Sequence, residues 1–286
     1  MGELHPSSQA RVVRALRGLA MVRGWRRLAS KLAGGAGQFR VSNQGIWLEG
    51  EIDSYIERQA YLFGGYERPE IALFLETIPA DRRRTILDIG ANIGTHSLCF
   101  AKAFDTVHAF EPNPLVVDRL RRNVALNRAD TIGIHHVGMS DEAGLLDLYA
   151  PDSANHGLGT FLEAEQYDRA LARIGSAEMV VGDSYVANLA GGATIDAIKC
   201  DVQGFEVQVF RGLAETIARD RPVIWVEIGS GAHTVEQEIR QLLPLLPKPA
   251  RYLRMSAAHA GPFTRSILVE TKEQDLAAGD YIVVPL

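Results

Sequence analysis

The stretch Ile86-Leu87-Asp88-Ile89-Gly90-Ala91-Asn92-Ile93-Gly94-Thr95-His96 constrains this chain more than any other. An apolar run closes on an acid, two glycines follow with a short gap between them, and a sequence fit for helix comes next. The pattern predicts a strand, a tight turn and a helix start. Glycine in the turn lets the backbone approach a ligand closely. The first N–H groups of the helix behind it lack intrahelical acceptors and can serve a carboxylate or a phosphate. A cofactor site is expected here.

Strand and helix patterns then alternate. Strands are expected over Thr85–Gly90, Thr106–Glu111, Ile132–Met139, Ala197–Val202 and Val223–Ile228. Helices are expected over Thr95–Ala103, Leu115–Leu126, Glu206–Ala218 and Val235–Leu246. Such alternation predicts an α/β fold, a mostly parallel sheet with helices on both faces. Ahead of it, Phe39–Trp47 reads as β, and Asp53–Leu62 and Pro69–Leu75 as helices. Behind it, Tyr252–Met255, Ser266–Glu270 and Tyr281–Val284 read as β. The connection Ser140–Ile195 is too long for a plain link. Leu145–Tyr149 alternates like an added strand, and Asp152–Thr160 is rich in Gly, Asn and Ser. Long loops are usually functional, so substrate recognition is expected here, over the carboxyl ends of the strands.

Two cofactors compete for the glycine turn. Dinucleotide turns read G-x-G-x-x-G, because the middle glycine lets pyrophosphate touch the backbone. Asn92 occupies that middle position, and Asp88 would repel pyrophosphate. An acid suits a ligand that carries an ammonium group, as S-adenosylmethionine does. Val107-His108-Ala109-Phe110-Glu111 ends in an acid about twenty residues on, suited to both hydroxyls of a ribose. That feature fits either cofactor; the turn favours the methyl donor.

Composition narrows the field. Of 286 residues 47% are hydrophobic, and no run reaches the roughly 18 apolar residues of a membrane span. The net charge of −5 argues against a protein built to hold nucleic acid. The only cysteines, Cys99 and Cys200, lie in apolar runs and read as buried reduced thiols, which fits a cytoplasmic home. Residues 1–36 differ: Arg11, Arg14, Arg17, Arg23, Arg26, Arg27 and Lys31 face a single acid, Glu3. Val12, Leu16 and Leu19 recur beside them at helical spacing. The segment reads as a solvated basic helix leaning on the domain, or as a membrane-surface contact. Gly34–Gly37 reads as a linker, residues 37–80 as a cap, and residues 81–286 as the cofactor-binding catalytic domain.

The chain resembles the FkbM-type methyltransferases. The resemblance rests on Asp88-Ile89-Gly90-Ala91-Asn92-Ile93-Gly94, Phe110-Glu111-Pro112-Asn113-Pro114, Gly138-Met139-Ser140-Asp141 and Ile198-Lys199-Cys200-Asp201-Val202-Gln203-Gly204-Phe205-Glu206, with Gly65-Tyr66-Glu67 ahead of the sheet. It implies the class I, Rossmann-like methyltransferase fold. It also implies S-adenosylmethionine as cofactor and methyl transfer to a hydroxyl of a sugar, glycan, glycolipid or natural product. Gln203 departs from the family pattern, standing where many members carry Glu.

The candidate residues follow. Asp88, Gly90, Asn92, Gly94 and Glu67 are expected around the amino-acid end of the donor. Asn92 either bonds its carboxylate or stabilises its own turn. Glu111 is expected on the ribose and Asp141 on the adenine amino group. Asp201, Glu206 and Lys199, at the end of the fourth strand, are the catalytic candidates. Glu227 is a further carboxylate for the same cleft, and with Asp201 and Glu206 it can supply oxygen ligands for Mg²⁺. His156 is a candidate base in the long loop, and His96 reads as a helix-start residue near the donor. Two other readings stand beside methyl transfer. One is a donor-binding scaffold without catalysis; the other is a dinucleotide oxidoreductase.

Overall fold

The protein is described by a computed structural model covering residues 8–22, 24–33, 37–151, 159, 161, 171–190, 192–229 and 234–286. The chain opens with α1 (Ser8–Ala15) and α2 (Trp25–Leu32). Val12, Leu16 and Leu19 point outward, while Ala10, Val13, Ala29 and Ala33 are buried in the main core. The inward face is mostly alanine, so the helices pack closely without a strong apolar stripe. The two helices lie against α3 (Tyr55–Phe63), which follows the hairpin of β1 (Gln38–Asn43) and β2 (Ile46–Glu51). The expected linker falls at 34–36, outside the described residues, and at Gly37. Then comes α4 (Arg68–Glu76).

The expected alternation follows. β3 (Thr85–Ile89), α5 (Thr95–Phe100), β4 (Thr106–Phe110), α6 (Pro114–Asn127) and β5 (Ile132–His135) form the first half. The long connection holds β6 (Gly138–Ser140), β7 (Gly144–Pro151), β8 (Leu171–Val181) and α7 (Gly182–Ala190). The second half is β9 (Ala197–Cys200), α8 (Glu206–Gly212), α9 (Ala214–Asp220), β10 (Val223–Ile228) and α10 (Val235–Leu242). The tail forms β11 (Ala250–Ala260), β12 (Phe263–Thr271) and β13 (Gly279–Pro285).

Among the described residues the central sheet has the order β12-β11-β13-β10-β9-β3-β4-β5. β5, β4, β3, β9 and β10 run parallel. They are the third, second, first, fourth and fifth parallel strands, the Rossmann order, and β13 joins antiparallel to β10. The expected α/β fold with helices on both faces is the one observed. Every residue of β3 is buried, as a strand covered on both sides requires. One core carries Leu98, Phe100 and Leu120; the other carries Val186, Phe210 and Leu242. From β3 the chain moves outward to β4 on one side and later returns to β9 on the other. The strand order reverses there, which opens a crevice beyond the carboxyl ends of β3, β4 and β9.

Two expectations need correction. The Ser140–Ile195 connection is not mainly loop: β6, β8 and β7 make a second small sheet. β8 buries only Ala177 and Met179, so its sequence carries almost no alternation. The expected helix Glu206–Ala218 is broken at Leu213. The first N–H groups of α9 find a partner across the fold, where Glu215 and Thr216 donate to Asp183 of α7 at 2.9 and 2.8 Å. A carboxylate at a helix start is favourable, so the break is stabilised from outside the helix.

Candidate active site

The crevice is lined by the turn after β3, the end of β4 and the turn after β9. The first turn is tight because Gly90 has φ 80, and a Cβ there would collide with the Asp201 carbonyl oxygen. Only glycine lets the β3 and β9 turns touch. The N–H groups of Gly90 and Ala91 both donate to the Phe110 carbonyl, at 3.0 and 2.9 Å. Asn92 is left-handed at φ 51 and accepts from the Ile93 N–H at 2.8 Å, which stabilises its own turn.

Glu111 directly follows β4 and is 6% exposed. One carboxylate oxygen accepts from the Asn92 N–H and the other from the Asn113 N–H, both at 2.8 Å. Burial pushes its pKa up to about 7 against the pull of these two N–H groups and of Lys199. Each carboxylate oxygen has two lone-pair sites, so the cradle uses half of the accepting capacity. Glu111 lines the crevice together with Gly90, Asn92 and Asn113.

Across the crevice stand Lys199, Asp201 and Gln203. Asp88 and Lys199 are register partners on neighbouring parallel strands, which turns them to one face. The Lys199 Nζ donates to the Gly90 carbonyl at 3.0 Å and lies 3.6 Å from both Asp88 Oδ1 and Asp201 Oδ2. Burial opposes its charge, yet Asp201 and Asp88 hold its pKa above the usual lysine range. Burial likewise raises Asp201, but Lys199, the Gln203 amide and His96 outweigh it and hold Asp201 below the usual carboxylate range. Gln203 donates to Asp201 Oδ1 at 2.8 Å. A glutamate there would repel Asp201, whereas the amide of Gln203 binds it.

His96 also lines the crevice. Its ring is buried edge-on to Trp225 and Tyr66, with centroids 5.3 and 6.1 Å away. His96 Nε2 lies 3.2 Å from Glu67 Oε2, within ion-pair reach but off the line of a hydrogen bond. Glu67 is therefore one contact removed from the crevice and faces a neighbouring groove.

Four other sequence candidates stand back from the crevice. Asp88 is fully buried beneath its floor, accepting from the Ser97 hydroxyl. Gly94 opens α5 at φ 88, where a Cβ would press on Leu120 at 2.7 Å. Glu206 lies behind the β9 turn, accepts from the Val202 N–H at 3.2 Å, and is pushed up to about 7 by burial. Asp141 bonds the Ser140 hydroxyl at 3.2 Å and faces Arg211 at 3.9 Å. Glu227 does not line the crevice either. Burial first, then the charges of Asp201 and Asp280, push it up to about 8. Among the described residues Asp201, Glu206 and Glu227 do not converge as a metal site. His156 lies outside the described residues.

The sequence reading did not assign site roles to Tyr66, Asn113 or Phe161, which line the crevice. Tyr66 and Asn113 sit inside motifs it had noted, one residue before Glu67 and two after Glu111. Phe161 comes from the long connection and carried no local signal. No helix among the described residues is long and apolar enough to cross a membrane.

A family model described as the methyltransferase FkbM domain matches residues 88–253. The hexuronic acid methyltransferase AglP of Haloferax volcanii is 32% identical over 168 residues, covering 58% of this chain and 63% of that protein. The chain thus spans a little under two thirds of that relative's length. The 31-O-demethyl-FK506 methyltransferase FkbM of Streptomyces tacrolimicus is 29% identical over 197 residues, covering 60% of this chain and 73% of that protein. A crystal structure of a methyltransferase FkbM from Methylobacillus flagellatus KT aligns with TM-score 0.42 and 15% identity, over 80% of this chain and 52% of that one.

Proposed function

The chain belongs to the FkbM methyltransferase family, and on that premise we propose that it transfers a methyl group from S-adenosylmethionine to a hydroxyl oxygen of a sugar, glycan or related small molecule. The observation that carries this reading is the pairing of Glu111 with Asp201 and Lys199 across one crevice. Glu111 is built for two vicinal hydroxyls, as a ribose offers. Its backbone cradle also consumes the Asn92 N–H, the group a pyrophosphate would need at that turn. A nucleoside with no phosphate fits better than a dinucleotide. The hexuronic acid relative supports a sugar acceptor.

Bound S-adenosylmethionine supplies a methyl group on a positively charged sulfur. The chain's own residues align the partners and remove a proton. Alignment for in-line displacement is the larger contribution. Asp201, ionised and inside the crevice, takes the hydroxyl proton. A carboxylate held low is a weak base at rest. It accepts the proton late, as the methyl arrives and the hydroxyl becomes acidic. Lys199 fixes the position of Asp201 and keeps it charged. Gly90, through its carbonyl, keeps Lys199 in place.

Two measurements test the reading. Calorimetry should register S-adenosylmethionine and not NAD. Mass spectrometry of candidate glycans incubated with donor and enzyme should record the gain of one methyl group. Binding of NAD with none of the methyl donor overturns the proposal.

A further inference from the structure

A groove of about 780 Å³ runs beside the crevice, between α2, α3 and the start of α4. Tyr66 lines both spaces. Glu67 lies in the groove and touches His96 in the crevice at 3.2 Å. The two cavities are therefore neighbours across one side chain. The groove carries Arg26, Arg27, Lys31 and Arg58 against Glu67 and Glu70. In a chain of net charge −5 this is a strong local concentration of cations.

None of the four cations is in an ion pair among the described residues. Arg58 is held by neutral acceptors alone. It donates to the Ser30 hydroxyl at 3.1 Å and to the Ile52 and Asp53 carbonyls at 2.8 and 3.2 Å. Those bonds orient the guanidinium without neutralising it. Arg26 lies over the Phe63 ring at 5.1 Å. Oriented guanidinium groups with no carboxylate partner suit bidentate pairing with a carboxylate or phosphate.

We propose that this groove holds the acidic part of the methyl acceptor, a carboxylate or phosphate carried by a sugar, while a hydroxyl of the same molecule reaches past Tyr66 to Asp201. The inference rests on the methyl-transfer reading. The charge layout divides the labour. Cations at the outer end bind the acid, and the carboxylate at the inner end meets a neutral hydroxyl. A neutral sugar would leave the groove's cations without partners. An anionic lipid headgroup presents the same chemistry, and the test separates the two.

The full chain loaded with S-adenosylhomocysteine is titrated with glucuronic acid, glucose 6-phosphate and glucose, and separately with phosphatidylglycerol vesicles. Nitrogen-proton signals of the arginine side chains report the groove. Signals of Arg26, Arg27 and Arg58 should move with either acidic sugar and not with glucose. The double variant Arg27→Gln/Lys31→Gln alters two exposed side chains. It should need roughly tenfold more acidic sugar for the same shift, since charge-assisted bonds are lost. Its affinity for S-adenosylhomocysteine should be unchanged. Equal shifts with glucose, no shift with any sugar, or shifts with vesicles alone overturn the acceptor assignment. Failure of S-adenosylhomocysteine to bind the wild-type chain overturns the methyl-transfer reading instead, so the two failures are distinct.

Discussion

Replacing Glu111 by Gln should weaken donor binding and also erase its pH dependence. The buried carboxyl is pushed up to about 7 in the free protein. Accepting two ribose hydroxyls requires the ionised form. Donor affinity in the wild type should therefore fall about tenfold for each pH unit below about 7 and level off above it, since one unit is about 1.4 kcal/mol. Glutamine keeps the shape but has one accepting oxygen. It can satisfy either the Asn92 or the Asn113 N–H of the present cradle, and it turns its amide donors on the other. A hydrogen bond to a charged group contributes about 1.5–3 kcal/mol, so losing one costs about ten- to 150-fold in affinity. Calorimetry of donor binding across about pH 6 to 8 reads both effects. Wild-type affinity in the variant, or a variant that keeps the same pH slope, would refute the reasoning. Stability should trend the other way. A folded pKa of about 7 lies above the ordinary 4.5, so the stabilising contribution is full below about pH 4.5 and is lost as pH rises through about 7. Acid thus strengthens the fold at this residue while weakening the donor site.

Asp201→Asn should lower turnover by about 10²–10⁴-fold with little change in donor affinity, the usual worth of general-base help. A normal melt with wild-type turnover would remove Asp201 as the base. Gly90→Ala forces a methyl group against the Asp201 carbonyl at a left-handed φ. It should cost more than about 2 kcal/mol in unfolding free energy and abolish donor binding; a chemical melt matching wild type would contradict this. Deleting residues 1–36 should leave donor affinity intact, because the crevice residues all lie beyond that point. It should lower the melting temperature, since Ala10, Val13, Ala29 and Ala33 leave the core. If the segment touches membranes, sedimentation with anionic vesicles should drop as well. Loss of donor binding in the truncated chain would contradict the separation of the two regions.

The parallel sheet was legible because its strands are buried on both faces and its helices are amphipathic. Thr85–Ile89 is apolar almost throughout, and its terminal acid and glycines mark the turn. Glu111 was legible for the same reason: a strand end fixes where a side chain must project. Harder positions are those set by partners far away in sequence. Asp88 and Lys199 look alike as charged residues at strand ends, yet Asp88 sits beneath the floor and Lys199 in the wall. Only the approach of the β3 and β9 turns separates them. Asp141 belongs to a motif, but it faces Arg211 of α8 and does not line the crevice. The N-terminal helices misled through their stripe. Spacing highlights Val12, Leu16 and Leu19, whereas alanine fills the buried face. Phe161 and Leu148 reach the crevice from a connection whose strand β8 buries only Ala177 and Met179, so periodicity was silent there.

Lys199 explains why the site behaves as one unit. Its ammonium touches the Gly90 carbonyl and two carboxylates, one structural and one facing the crevice. Removing the charge would leave Asp88 buried against Ser97 with no ion-pair partner among the described residues. It would also strip Asp201 of the field that keeps it ionised. Breaking such a buried pair typically costs about 3–5 kcal/mol, because the remaining charge is uncompensated. A neutral residue at 199 therefore weakens the floor, the wall and the candidate base together. That coupling also assigns the pH response. Asp201 is held low and stays ionised across the neutral range, so acid sensitivity near pH 7 belongs to raised groups such as Glu111. A turnover profile in saturating donor that still falls near pH 7 after Glu111 is neutralised would move that assignment to Glu206 or Glu227, the other carboxylates near the β9 turn that burial pushes up, to about 7 and about 8.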